Sequence, residues 1–237
     1  MAHLTFLHLV LWVGVTVSTA LDLQKRIYGG KDCDPAQRAY HVKLRGVSGG
    51  LCGGSLIHKQ WILTSAHCKE SKMKATVGSE PEVEITRTVV YPEHDIMLLL
   101  LPNPSKITPI RLPDCSEQPK IDKIEVAGNG RYKINEKTKE KLPGQPKKLQ
   151  CAEMHISSCD EIKTKIQETF PNEPFEHWFC GKEHKVDTCK GDSGGGVVYN
   201  NVIYGIISGA GGSEHPSYDD DTDTFNFEVM LQQPPST

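Results

Sequence analysis

Short apolar or alternating runs recur along this chain, each bounded by turn residues. In the first half they are His41–Leu44, Gly54–Ile57, Trp61–Thr64, Lys74–Val77, Glu82–Val90 and Ile96–Leu101. In the second half they are Lys123–Ala127, Lys148–His155, Gly196–Val198 and Val202–Ile207. Strands this short, at this spacing, cannot bury much alone and must share a barrel or a sandwich, so the reading is all-β. One window departs from it. Ser158–Thr169 sets Ile162 and Ile166 four apart among charged residues, with Pro171 soon after, and predicts one short amphipathic helix.

With 237 residues, 37% of them hydrophobic, the chain can bury a sizeable core in one large domain or two small ones. A formal net charge of -3 gives no footprint for nucleic acid, which is not expected as a partner. Lys137–Lys148 is locally basic but interleaved with Glu140, Pro143, Gly144 and Pro146, so it reads as a solvated loop. Leu4–Val17 is an apolar run followed by the small residues Ser18, Thr19 and Ala20, so residues 1–20 read as a secretory signal. The run is short for a span, no basic stop-transfer cluster follows it, and no membrane partner is expected. Eight cysteines fit a secreted, extracellular protein, although sequence alone leaves their pairing open. Asn103-Pro104-Ser105 is no glycosylation acceptor, because proline occupies its middle position.

Gly191-Asp192-Ser193-Gly194-Gly195 puts a serine in a glycine-dense turn. A nucleophilic serine needs such a turn, which exposes its hydroxyl and aims backbone N–H groups at the oxygen that becomes negative in acyl transfer. The hydroxyl also needs a histidine to take its proton and a carboxylate to orient that histidine. Thr64-Ser65-Ala66-His67-Cys68 and His94-Asp95-Ile96-Met97-Leu98 offer both.

The order His67, Asp95, Ser193 resembles the trypsin-like serine proteases. Arg26-Ile27-Tyr28-Gly29-Gly30, Leu51-Cys52-Gly53-Gly54-Ser55-Leu56-Ile57 and Asp187-Thr188-Cys189-Lys190-Gly191-Asp192-Ser193 extend the likeness over about Ile27–Ser208. The resemblance implies two antiparallel six-stranded β-barrels, joined near Ile110–Lys120, with the cleft between them. It implies Ser193 as nucleophile, His67 as general base, Asp95 as its orienter, and the N–H groups of Gly191 and Ser193 as the oxyanion hole. Asp187 would lie at the base of a pocket for Arg or Lys, with Ser208 on the substrate strand. Residues 21–26 would be a propeptide cut after Arg26, freeing an Ile27 ammonium to pair with Asp192. The implied disulfides are Cys52 with Cys68, Cys33 with Cys151, and Cys159 with Cys180. The implied partners are protein or peptide substrates and an activating protease, with the chain a monomer.

The chain also departs from that family. Trypsins commonly carry a calcium loop between the histidine and the aspartate. Gly78–Glu84 has three acids there but is read as a shortened surface loop, and no metal or other cofactor is expected. The substrate strand reads Ser208-Gly209-Ala210 where the family has Ser-Trp-Gly, and no cysteine follows Cys189 as its usual partner. The state of Cys115 and Cys189 is left open. The protease domain is therefore read as residues 27–212, with an atypical acidic tail over 213–237. Two ends stay open: a disordered tail that leaves the second barrel incomplete, or a substitute strand over Phe225–Leu231. The function expected is a secreted endopeptidase cutting after Arg or Lys. The alternative is a catalytically impaired homologue that binds or scaffolds.

Overall fold

The structure, a computed structural model, describes residues 27, 30–91, 94–114, 119–130, 132–134, 141–143, 148–160, 164, 178–183, 186, 188–211 and 228–232. After a two-residue strand, β1 (Lys31–Asp32), the chain lays down β2 (His41–Gly46), β3 (Leu51–His58) and β4 (Trp61–Thr64). β5 (Met73–Val77), β6 (Val83–Glu84), β7 (Arg87–Val90) and β8 (Met97–Leu100) follow. These pair antiparallel in the order β6-β5-β2-β3-β4-β8-β7. The two edges of this sheet are one stretch of chain. Val83–Glu84 pairs with β5 and Arg87–Val90 with β8. Between them Ile85 N donates to Met73 O at 2.9 Å and Thr86 N to Leu100 O at 3.0 Å. The single run Glu82–Val90 is thus one bent strand, and it closes the sheet into a six-stranded barrel.

The second barrel uses β9 (Lys123–Gly128), β12 (Gln150–Ser157), β13 (Trp178–Lys182), β14 (Gly196–Tyr199), β15 (Val202–Gly211) and β16 (Glu228–Gln232). A hairpin of β10 (Tyr132–Ile134) and β11 (Lys141–Pro143) lies between β9 and β12 in the chain. The pairing runs β12-β13-β16-β15-β14-β9, and β9 pairs back onto β12. That is a closed antiparallel ring of six. β1 pairs with the other end of β12 through Lys31 opposite Cys151. Of the two ends left open, the structure has the substitute strand: β16 overlaps the expected Phe225–Leu231, and the second barrel is not incomplete. β16 lies inside the stretch expected as an atypical tail, and it fills the gap between β13 and β15. Residues 212–227 lie outside the described residues.

Alternation explains the packing. Val197, Ile207, Val126, Ile124 and Met154 join Ile27 in the second barrel's core. Their neighbours Val198 and Ile206, with Ile203, turn the other way and pack with the first barrel's core of Val42, Leu44, Leu56, Ile62 and Leu99. The connection crosses at Ile110–Arg111, within the expected segment. Ile110 N donates to Leu56 O at 2.9 Å and Arg111 O accepts from Ile203 N at 3.0 Å. An ion pair of the buried Arg38 with the partly exposed Glu125 also spans the barrels, with Tyr40 OH accepting from Arg38.

Disulfides join Cys33 to Cys151, Cys52 to Cys68, and Cys159 to Cys180, the three pairs that the resemblance implies. Cys115 lies outside the described residues. The helix expected over Ser158–Thr169 lies largely outside them too. Asp160 and Thr164 are described, both with helical backbone, and Thr164 Oγ1 donates to Asp160 O at 2.9 Å. In the shortened loop, Glu80 accepts from Lys106 N at 2.7 Å and Glu82 faces Lys74 at 3.5 Å.

Candidate active site

Strand register brings His67 and Asp95 together. Thr64, the last residue of β4, pairs with Met97, the first of β8. His67 lies three residues past Thr64 and Asp95 two before Met97, so the antiparallel ladder places both at one barrel end. One turn of 3-10 helix, Ala66–Cys68, then turns His67 toward Asp95, and Ala66 N donates to Asp95 O at 3.1 Å. The Asp95 carboxylate accepts from His67 N at 2.8 Å and meets His67 Nδ1 at 2.7 Å.

Ser208 Oγ of the second barrel donates to the same Asp95 oxygen at 2.5 Å. Sequence reading places Ser208 on the substrate strand. Its hydroxyl orients Asp95, and the residue pattern alone carried no signal of that contact. Burial pushes the Asp95 carboxyl up. The hydrogen bonds from His67 and Ser208 outweigh it and hold the group below the usual carboxylate range. Asp95 thus stays ionised and fixes the His67 ring with Nδ1 toward it, leaving Nε2 for chemistry.

The serine turn is fastened from both barrels. Gly194 N donates to Ile207 O at 2.7 Å, Ile207 N to Gly195 O at 2.9 Å, and Gly53 N of β3 to Ser193 O at 2.7 Å. Gly194 has φ 81° and Gly191 φ 104°, angles that L side chains avoid. A Cβ on Gly194 would stand 2.1 Å from Thr64 Oγ1. Glycine there lets the turn lie against the first barrel. Ser193, Gly191 and His67 line one cleft of about 260 Å³. The Cys52–Cys68 disulfide borders His67 in that cleft, and because its sulfurs are bonded to each other they are not metal-ligating thiolates.

Behind the serine, the Asp192 side chain is fully buried and accepts from Gly130 N at 2.6 Å and Cys189 N at 2.8 Å. Ile27 is fully buried in the same barrel's core. Arg26 and Asp187 lie outside the described residues.

A protein-family model described as trypsin matches residues 27–227. Kallikrein-8 of Rattus norvegicus is 30% identical over 230 residues, covering 86% of this chain and 82% of that protein. Kallikrein-2 of Homo sapiens is 31% identical over 236 residues, covering 85% of each. Among solved structures, neuropsin, a serine protease expressed in the limbic system of mouse brain, superposes with a TM-score of 0.66 at 26% identity. That superposition covers 86% of this chain and 93% of neuropsin's.

Proposed function

The chain belongs to the trypsin family of serine proteases, and from that membership we propose that it is a secreted endopeptidase cutting after Arg or Lys. The observation that carries this is the His67 ring, held through Nδ1 by an ionised Asp95, in one cleft with Ser193. On this reading Ser193 Oγ attacks the scissile carbonyl while His67 Nε2 takes its proton. His67 then gives that proton to the leaving amine, and the ester to Ser193 is hydrolysed by water on the same route. Asp95 stabilises the imidazolium. The N–H groups of Gly191 and Ser193 receive the oxyanion. Among the described residues no hydrogen bond joins Ser193 to His67 at rest, and such bonds commonly tighten when substrate binds.

Preference for Arg or Lys rests on Asp187 by its place in the serine motif. A carboxylate at the base of a narrow pocket favours a cation, because leaving it unpaired is costly. Activation rests on the Lys25-Arg26-Ile27 junction. Cutting after Arg26 creates an Ile27 ammonium, and the buried Asp192 is its partner on this reading. Secretion rests on residues 1–20 and on the disulfides. On this reading the protein acts as a monomer. The rival reading, a homologue that binds without cutting, drew on an open second barrel, and the closed ring removes that ground.

Titration with a serine-directed fluorophosphonate tests the proposal. Protein cut after Arg26 is expected to take up one label per chain and to hydrolyse arginyl amides, with Ser193→Ala losing on the order of 10⁴-fold or more. A cut parent that neither labels nor turns over, or a Ser193→Ala protein as active as the parent, overturns it. Asp187→Ser is expected to lower the preference for basic over uncharged side chains before the cut bond. Asp192→Asn is expected to stay nearly inert after cutting.

A further inference from the structure

The cleft beside Ser193 has a charged wall that the hydrolytic reading does not use. β15, with Ser208, stands at one flank of His67. The cleft opens at the other flank, where Leu51, Cys52, Glu70, Lys190 and Gly191 line it. The half of a substrate that departs with the His67 proton has to run along this flank, because β15 occupies the other.

Glu70 is built into that wall. Its carboxylate accepts from Ser48 N at 2.8 Å and from Ser48 Oγ at 2.7 Å, both in the turn between β2 and β3. Two glycines make the space. A Cβ on Gly46 would stand 1.9 Å from Glu70 Oε1, and one on Gly50 2.3 Å from the same atom. The Ser48 N–H, then its hydroxyl, hold the Glu70 carboxyl below the usual range, so it is charged at neutral pH. Lys190 also lines the cleft, but it is exposed and its long stem can keep the ammonium in water. Glu70 is held in place by Ser48 and lines the cleft, so it presents a fixed negative charge there.

Resting on the protease reading above, we propose that Glu70 makes the leaving-group side of the cleft a cation-accepting subsite. The enzyme then prefers Lys or Arg among the first two residues after the cut bond.

The test uses quenched fluorescent peptides that share one arginine at the cut and carry Lys, Gln or Glu in the next two positions. At low salt the activated protein is expected to show kcat/KM about fivefold higher for Lys than for Glu, the size of a partly solvated ion pair. The ratio is expected to shrink in about 1 M NaCl, where charges are screened within roughly 3 Å. Glu70→Gln is expected to bring the ratio near one and Glu70→Lys to invert it. Ser48→Ala, which loosens the carboxylate but keeps its charge, is expected to keep the direction. Equal kcat/KM for the Lys and Glu peptides in a parent that cleaves both overturns the subsite alone. A ratio unmoved by Glu70→Gln assigns the preference to another group and also overturns it. An arginyl coumarylamide has no residue after its bond, so failure to cleave it sinks the protease reading, and the subsite with it.

Discussion

Ser208 and His41 carry the clearest consequences of single side chains. Ser208 Oγ is one of the donors that hold Asp95 ionised. A group whose folded pKa is depressed adds stability above its unfolded pKa and loses it as pH falls through the folded value. For Asp95 that window lies below about pH 4. Ser208→Ala removes one donor, so the folded value rises toward the unfolded one: the protein should be less stable at neutral pH, and urea unfolding between pH 3 and 7 should show a smaller loss on acidification. The same change should cost roughly tenfold in kcat on an arginyl amide, about the 1.5 kcal/mol of one hydrogen bond to a charged group. Unchanged kcat and acid stability would contradict the assigned contact. His41 acts over a different range. Burial first, then the charges of Arg38 and Lys43, push it down to about 4, and its Nε2 has no hydrogen-bond partner among the described residues. Below about pH 6.5 the unfolded chain takes a proton there that the folded chain refuses, so stability falls as pH drops from 6.5 toward 4. His41→Leu should flatten that slope, a difference of up to about 3 kcal/mol at pH 4. A parent whose unfolding free energy is level across this range would show His41 to be accessible to protons.

Among the elements, β16 has the largest effect for its length. It pairs with β13 from Trp178 to Lys182 and with β15 from Ile206 to Gly211. Ending the chain at Phe227 would leave both strands with bare edges in a barrel built to have none. The shortened protein is expected to elute as aggregates in size-exclusion chromatography, and a stable monomer that keeps its melting temperature would show that the ring closes some other way. Most of the barrel strands were legible because alternation is a local signal. β2, β4, β5, β9, β12, β14 and β15 fall on runs that alternate or are continuously apolar. β13 was missed because Trp178-Phe179-Cys180-Gly181-Lys182 buries the neighbours Cys180 and Gly181, which breaks a period of two. β16 was readable only as one of two alternatives, since what selects it is the gap between β13 and β15, a long-range fact. The site divides in the same way. His67, Asp95 and Ser193 stand in local motifs, whereas Ser208 on Asp95 and Glu70 in the Ser48 turn are contacts between distant segments. No nearby residue reports them.

On the scale of the whole molecule, two barrels are joined by apolar packing and by a few polar ties. Ser208 reaches Asp95, Ser65 Oγ donates to Ile207 O at 2.9 Å, and Gly53 N reaches Ser193 O at 2.7 Å. The start of the chain belongs to the later barrel, since β1 lies on β12 and Cys33 is bonded to Cys151 across a separation of 118 residues. The ring that closes with β16 therefore sets a clock on biosynthesis. Every strand of the first barrel has been made once residue 100 is joined, and the second cannot close before residue 232. A growing chain folds in the order it is made. The Cys52–Cys68 bond, 16 residues apart, can form early, while Cys33 must wait for Cys151. Thiol trapping on translation intermediates halted near residue 112 should find the first bond closed and Cys33 reduced, and Cys52 still reactive there would refute this order. Until then, Ile62 and Leu99 lack the cover of Val198, Ile203 and Ile206, so the half-made molecule presents a sticky face. It also holds His67 and Asp95 without Ser193, so on the protease reading the nucleophile is the last of the three to arrive.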